Sequence, residues 1–126
     1  MTTGTPYMER NHPHVGVGVM ILTEEKVLLG QRKGPHGAGE YAFPGVHLEY
    51  GESFAACAQR ETREESGLEI TNIRFQFVAN IMYYAPRHYV HIGLIADWKR
   101  GTPAVLEPEA SATWAWYEVD HAMRGA

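Results

Sequence analysis

Cysteine is almost missing from these 126 residues. Cys57 stands alone, so no internal disulfide can form, which fits a reducing, cytoplasmic setting. Long hydrophobic runs are missing too. Nothing approaches the ~20 apolar residues of a membrane-spanning helix, so no membrane partner is expected. Residues 1–14 are polar and lack the apolar core of a secretory leader, so they read as a flexible lead-in. Positive charge is scarce, with 11 Lys and Arg against 15 Asp and Glu, a formal net charge of -4. Without a basic stripe, no nucleic-acid polymer is expected as the main partner. A small phosphorylated ligand is not excluded, because bound metal can neutralise both sides. No internal repeat and no domain boundary is visible, so residues 15–126 read as a single domain, long enough for one buried core.

Strand patterns come first along the chain. From Val15 to Leu22 the residues Val15, Val17, Val19 and Ile21 alternate with Gly16, Gly18, Met20 and Leu22, the period of a buried strand. Thr23 to Lys26 read as a turn and Val27 to Arg32 as a second strand. Lys33 to Glu40 form a loop, and Tyr41 to Phe43 are short and extended because Pro44 disfavours helical angles before it. Gly45 to Glu52 read as another loop. Ser53 can cap a helix that Gly67 ends, with Phe54, Cys57 and Ala58 on the face packed against the sheet. Strands follow at Ile70–Ala79 and His88–Trp98, the latter with Val90, Ile92, Leu94, Ala96 and Trp98 on one side. After a loop around Lys99–Ala110 comes a last strand near Thr113–Tyr117. This order predicts an α/β fold, a mixed sheet with helices packed on it.

The segment holding Glu52, Arg60, Glu61, Glu64 and Glu65 is far denser in charge than its surroundings. On a helix, Glu61 lies three positions from Glu64 and four from Glu65, so the three carboxylates project to one side. They repel one another and, near the helix C-terminus, oppose the macrodipole. A bound cation would relieve both penalties, and hard carboxylate oxygens select Mg²⁺ or Mn²⁺. The same spacing also describes a solvated acidic face paired with Arg60 and Arg63. Spacing alone does not decide between them.

The fuller pattern does. The stretch from Gly45 to Leu68 resembles the Nudix box, G-x5-E-x7-R-E-U-x-E-E-x-G-U, with U aliphatic. Glu52 matches the first acid, Arg60-Glu61 the R-E, Glu64-Glu65 the E-E, Gly67 the glycine and Leu68 the last aliphatic position. Two positions depart from it. Thr62 replaces an aliphatic residue, and Val46 replaces the first glycine. A β-branched residue resists the positive φ that glycine can supply, so Val46 is expected to strain or shift the loop if the family backbone needs that angle. Flanking stretches, Val15-Gly-Val-Gly-Val, Val27-Leu-Leu-Gly-Gln-Arg-Lys-Gly and Thr113-Trp-Ala-Trp among them, resemble the branch of this MutT-like family that contains the second human MutT homologue.

That resemblance implies a Nudix α/β/α sandwich with a mixed, curved sheet. It implies a homodimer that hydrolyses nucleoside triphosphates to the monophosphate and pyrophosphate. Glu61, Glu64 and Glu65, with the Gly45 carbonyl, would hold Mg²⁺, and Glu65 or Glu61 would take the proton of the attacking water. Glu52 would pair with Arg60 and orient the helix. For substrate binding it points to Arg32, His47 and Trp116, the last for stacking on the base. Each has a blander reading: an exposed basic strand end, an exposed loop histidine and core packing beside Trp114. Glu109 is a further loop carboxylate, and Cys57 is expected to pack on the sheet without a catalytic part. Only Glu118 to Ala126 follow the last strand, so the C-terminal helix is expected to be short and one side of the sheet to be thinly covered or covered by a partner chain. Other diphosphate substrates, such as ADP-ribose, a nucleotide sugar or a dinucleoside polyphosphate, remain open. So does a binding module impaired by Val46.

Overall fold

The computed structural model describes residues 12–32, 41–42, 45–82, 88–104 and 111–119. Their elements in chain order are β1 (His14–Thr23), β2 (Lys26–Arg32), β3 (Tyr41–Ala42), β4 (Gly45–His47), α1 (Phe54–Ser66), β5 (Glu69–Ile81), β6 (Tyr89–Arg100) and β7 (Ser111–Glu118). The strands form one mixed sheet in the order β3-β2-β1-β6-β5, with β4 also paired to β1 and β7 to β2. β1 and β6 run parallel, and the other pairs are antiparallel.

The valine alternation explains where the core lies. Val15 pairs with Val90, Val17 with Ile92, Val19 with Leu94 and Ile21 with Ala96. Opposed residues share a face, so both strands turn their apolar series toward α1. There Val17, Val19, Ile21, Leu28, Ile70, Ile92, Leu94, Ala96 and Trp114 pack with Cys57, Ala58 and Leu68. Trp98, expected to extend this series, is exposed and instead donates its indole N–H to the Gly101 carbonyl at 3.0 Å.

The predicted caps are present on α1. Ser53 accepts the Ala56 N–H at 3.0 Å, and Gly67 closes the helix at φ 79°, its N–H bonded to the Arg63 carbonyl. The buried stripe of α1 runs through Cys57, Ala58, Glu61, Thr62, Glu65 and Ser66. Phe54 does not join it. The first turn, residues 54–56, is exposed because the helix meets the sheet only from its second turn onward.

Two loop expectations are corrected. The turn after β1 narrows to Glu24 and Glu25, both left-handed at φ 46° and 64°, a pairing that matches the twist of a hairpin. Gly45 to His47, expected within a loop, form β4, with Gly45 opposite Gly18, Val46 opposite Val17 and His47 opposite Gly16. Strand backbone has negative φ, which valine adopts readily. The strain anticipated for Val46 therefore has no place in this geometry. The expectations for residues 33–40, for Glu109 and for the tail at 120–126 lie outside the described residues.

Candidate active site

A single guanidinium organises the acidic segment. Arg60 donates from Nε to Glu52 Oε2 at 2.6 Å and from Nη2 to Glu52 Oε1 at 3.0 Å, a two-point fork. Its Nη1 donates to Glu61 Oε2 at 2.7 Å and to Glu64 Oε1 at 3.3 Å, with Glu49 Oε2 at 3.7 Å. Nη2 also reaches the His47 carbonyl at 3.4 Å. Arg60 thereby ties α1 to the loop between β4 and α1, and that loop is closed by Glu52 Oε1 accepting the Glu49 N–H at 3.0 Å.

The electrostatics follow from this packing. The Arg60 hydrogen bond, then the Glu49 N–H, hold the Glu52 carboxyl down at about 2, against its ordinary 4.5. Arg60 is driven further up, chiefly by its bond to Glu52. Burial, and next the Glu52 charge, push the Cys57 thiol up to about 12. It stays protonated and unreactive, bonded weakly to the His47 carbonyl at 3.7 Å.

Next to this hub, the sheet face turned away from α1 carries a different chemistry. Gly16 pairs with His91 and Gly18 with Gly93, so small residues floor that face between the apolar series on the other side. Imidazoles and aromatics stand around it. His47 stacks on Tyr89 with centroids 5.7 Å apart and planes 9° apart. His14 lies 6.0 Å from each of them, and Phe77 lies 5.9 Å from His91. The Phe77 ring occupies the place where a Cβ on Gly93 would stand. His47 belongs to both regions, with its ring on this face and its carbonyl bonded to Arg60.

A NUDIX domain model matches residues 12–126. The chain belongs to the NUDIX family. It is similar to a MutT NUDIX hydrolase from Burkholderia pseudomallei, with a TM-score of 0.81 and 28% identity over 90% of this chain and 95% of that one. It is 32% identical to the oxidized purine nucleoside triphosphate hydrolase of Danio rerio, over 81% of this chain and 64% of the relative. It is 30% identical to the NAD-capped RNA hydrolase NudC of Vibrio atlanticus, over 80% of this chain but 36% of the relative. The chain thus spans less than two thirds of either relative's length.

On this NUDIX scaffold the predicted residues divide into groups. Glu52, Arg60, Glu61, Glu64 and the His47 carbonyl come together in the hub. Glu65 lies one turn on from Glu61, and the pair are 5% and 6% exposed. Gly45 sits in β4 beside Gly18, and Arg32 ends β2 opposite Ser111. Trp116 pairs with Leu28 and packs against the core on the α1 side, away from the His47 ring. Glu49 in the hub, and His14, Tyr89, His91 and Phe77 on the glycine-floored face, were not singled out from the sequence. The available signal was the glycine alternation of β1, which needed the parallel register of β6 to become visible as a floor.

The donor chemistry suits a hard divalent cation. Glu61 and Glu65 are nearly buried carboxylates, which are costly without a compensating cation or donors. Arg60 fills that role for Glu61 in the geometry described. Among the described residues no three acidic, imidazole or thiol groups converge closely enough to coordinate an ion as they stand.

Proposed function

We propose that this NUDIX protein is a Mg²⁺-dependent hydrolase that cleaves (deoxy)nucleoside triphosphates to the monophosphate and pyrophosphate, sanitising or balancing the nucleotide pool. One observation carries this reading. The buried carboxylates Glu61 and Glu65 lie on a helix locked by Arg60, and His47 links that helix to a glycine-floored aromatic face. The likeness to an oxidized purine nucleoside triphosphate hydrolase supports it.

In this reading Glu61, Glu64, Glu65 and the Gly45 carbonyl hold Mg²⁺, with Mn²⁺ a substitute. When bound, the metal supplies charge neutralisation and a water of lowered pKa. Arg32 and His47 bind the phosphates, and Glu65 or Glu61 takes the proton as the water oxygen attacks phosphorus in line. The bridging P–O bond breaks and pyrophosphate leaves. Glu52 and Arg60 act through position, holding α1 against its loop. Trp116 stacks on the base. The protein acts as a cytoplasmic homodimer.

The test is pyrophosphate release from a panel of deoxy- and ribonucleoside triphosphates, with Mg²⁺ or EDTA. Magnesium-dependent release that Glu65→Gln abolishes is the expected result. The likeness to NudC favours a second reading, a substrate with a dinucleotide-type diphosphate bridge. Such a substrate yields two monophosphates and no pyrophosphate. Turnover of neither class would favour a binding module, whose main sequence argument is weakened by the strand conformation of Val46.

A further inference from the structure

β5 ends the sheet, and among the described residues it pairs with β6 alone. Its second half is unusually apolar for an edge. Phe75 is 62% exposed, Phe77 43%, Val78 57% and the adjoining Met82 60%. The segment Phe75-Gln-Phe-Val-Ala-Asn-Ile-Met82 contains no charge, proline or glycine. Free edges are normally protected by charges, prolines or covering elements, and an uncharged apolar edge left open invites aggregation. Register irregularities before Arg74 and between Phe75 and Phe77 bend this strand, but from Phe77 to Ile81 the ladder is regular.

The exposed side chains lie on both faces of the sheet. Phe75 pairs with Leu94 and Val78 with Ile92, which places them on the α1 side, while Phe77 covers Gly93 on the other. A partner docked on one face would leave the other uncovered. An added strand at the edge reaches both. At roughly 150–250 Å² for a whole aromatic side chain, these four exposed groups leave about 400 Å² of apolar surface. That is about half of what one partner contributes to a stable interface, typically ~800 Å². The edge backbone and flanking polar groups can supply the remainder.

The segment is also complementary to itself. Within the regular part of the ladder, antiparallel pairing centred on Val78 sets Val78 opposite its own copy and Phe77 opposite Ala79. Apolar meets apolar in both pairs. The nearest charge, Arg74, lies beyond the irregularity between Phe75 and Phe77, and its guanidinium is already 3.3 Å from Asp97. No like charges oppose each other. We propose that β5 pairs edge to edge and antiparallel with β5 of a second copy, about a two-fold axis beside Val78. This names the surface of the homodimer proposed above and is independent of the substrate.

The test is sedimentation of the full chain across the micromolar range, with Val78→Lys, Val78→Glu and Val78→Cys. On a two-fold axis each substituted side chain meets its own copy. Val78→Lys and Val78→Glu should each weaken the dimer at least about tenfold, and mixing the two should restore it. Opposed residues in an antiparallel pair lie about 4.5–5.5 Å apart between Cα atoms, within disulfide reach, so oxidised Val78→Cys should form a covalent dimer. Cys57 is buried and does not compete. Circular dichroism checks that each variant is folded, which the exposure of Val78 favours. A wild-type monomer throughout would overturn both the dimer and this surface. A dimer left intact by Val78→Lys would overturn the surface alone. Neither outcome depends on whether pyrophosphate is released, so the dimer surface and the proposed activity stand or fall separately.

Discussion

Replacing Arg60 by lysine keeps the positive charge and removes the fork. An ammonium can serve one or two of the acceptors around Arg60, but not the two-point grip on Glu52 together with Glu61 and Glu64. Charge-assisted hydrogen bonds contribute about 1.5–3 kcal/mol each when shielded from water. The Arg60 side chain is 22% exposed, so solvent screening places the whole substitution near the low end of that range. We expect Arg60→Lys to destabilise the fold by about 2 kcal/mol, a fall in melting temperature of roughly 6–10 °C for a domain of this size. Thermal unfolding followed by circular dichroism at neutral pH measures it. Turnover should drop further than stability explains, because β4, which bears His47, and the loop after it lose their anchor to α1. A loss below about 0.5 kcal/mol is what an ordinary surface ion pair gives, and would refute the view of Arg60 as an organising hub.

Glu65→Gln should abolish magnesium-dependent pyrophosphate release while leaving the far-ultraviolet spectrum unchanged; retained release would remove Glu65 from the machinery. The Glu52 carboxyl titrates lower in the fold than its ordinary 4.5, so its stabilising effect is present above that value and lost as pH falls through about 2. Glu52→Gln should therefore flatten acid denaturation across that window, and an unaltered acid profile would contradict the assignment. Trp116→Ala should raise KM for nucleoside triphosphates while leaving hydrolysis of inorganic tripolyphosphate unchanged; equal effects on both would move the base elsewhere. Val46→Gly should lower stability by about 0.5–1 kcal/mol through the loss of a strand-forming residue, without a large gain in rate. A sharp gain would restore the idea that the valine impairs the site.

Much of the site was legible because helical spacing converts sequence positions into neighbours. Arg60, Glu61 and Glu64 gather for that reason, and Ser53 and Gly67 bound the helix through cap chemistry carried by single residues. β1 was legible from its period of two. β4 was not, since three residues beside a proline carry no period and become a strand only by pairing with β1. The exposure of Phe54 and Trp98 escaped for a related reason, because periodicity gives the face of an element but not where the neighbouring layer stops. The cluster of His14, His47, Tyr89 and His91 was hidden by distance along the chain. It depends on the parallel register of β1 and β6, which no local pattern encodes.

That register has a consequence for how the molecule comes into being. The centre of the sheet joins His14 to Tyr89, and β2, flanked by β1 and β3, gains its longest ladder only when Lys26 can meet Glu118. Such pairings between remote segments must meet the entropy of closing long loops before they are rewarded, so folding should be slow relative to helical domains of similar length. For a chain emerging from the ribosome, β1 and β2 are made early and lack their longest ladders, to β6 and β7, until those late segments have appeared. Temperature or crowding during synthesis would then act on yield through this interval, even in a protein whose finished fold is stable.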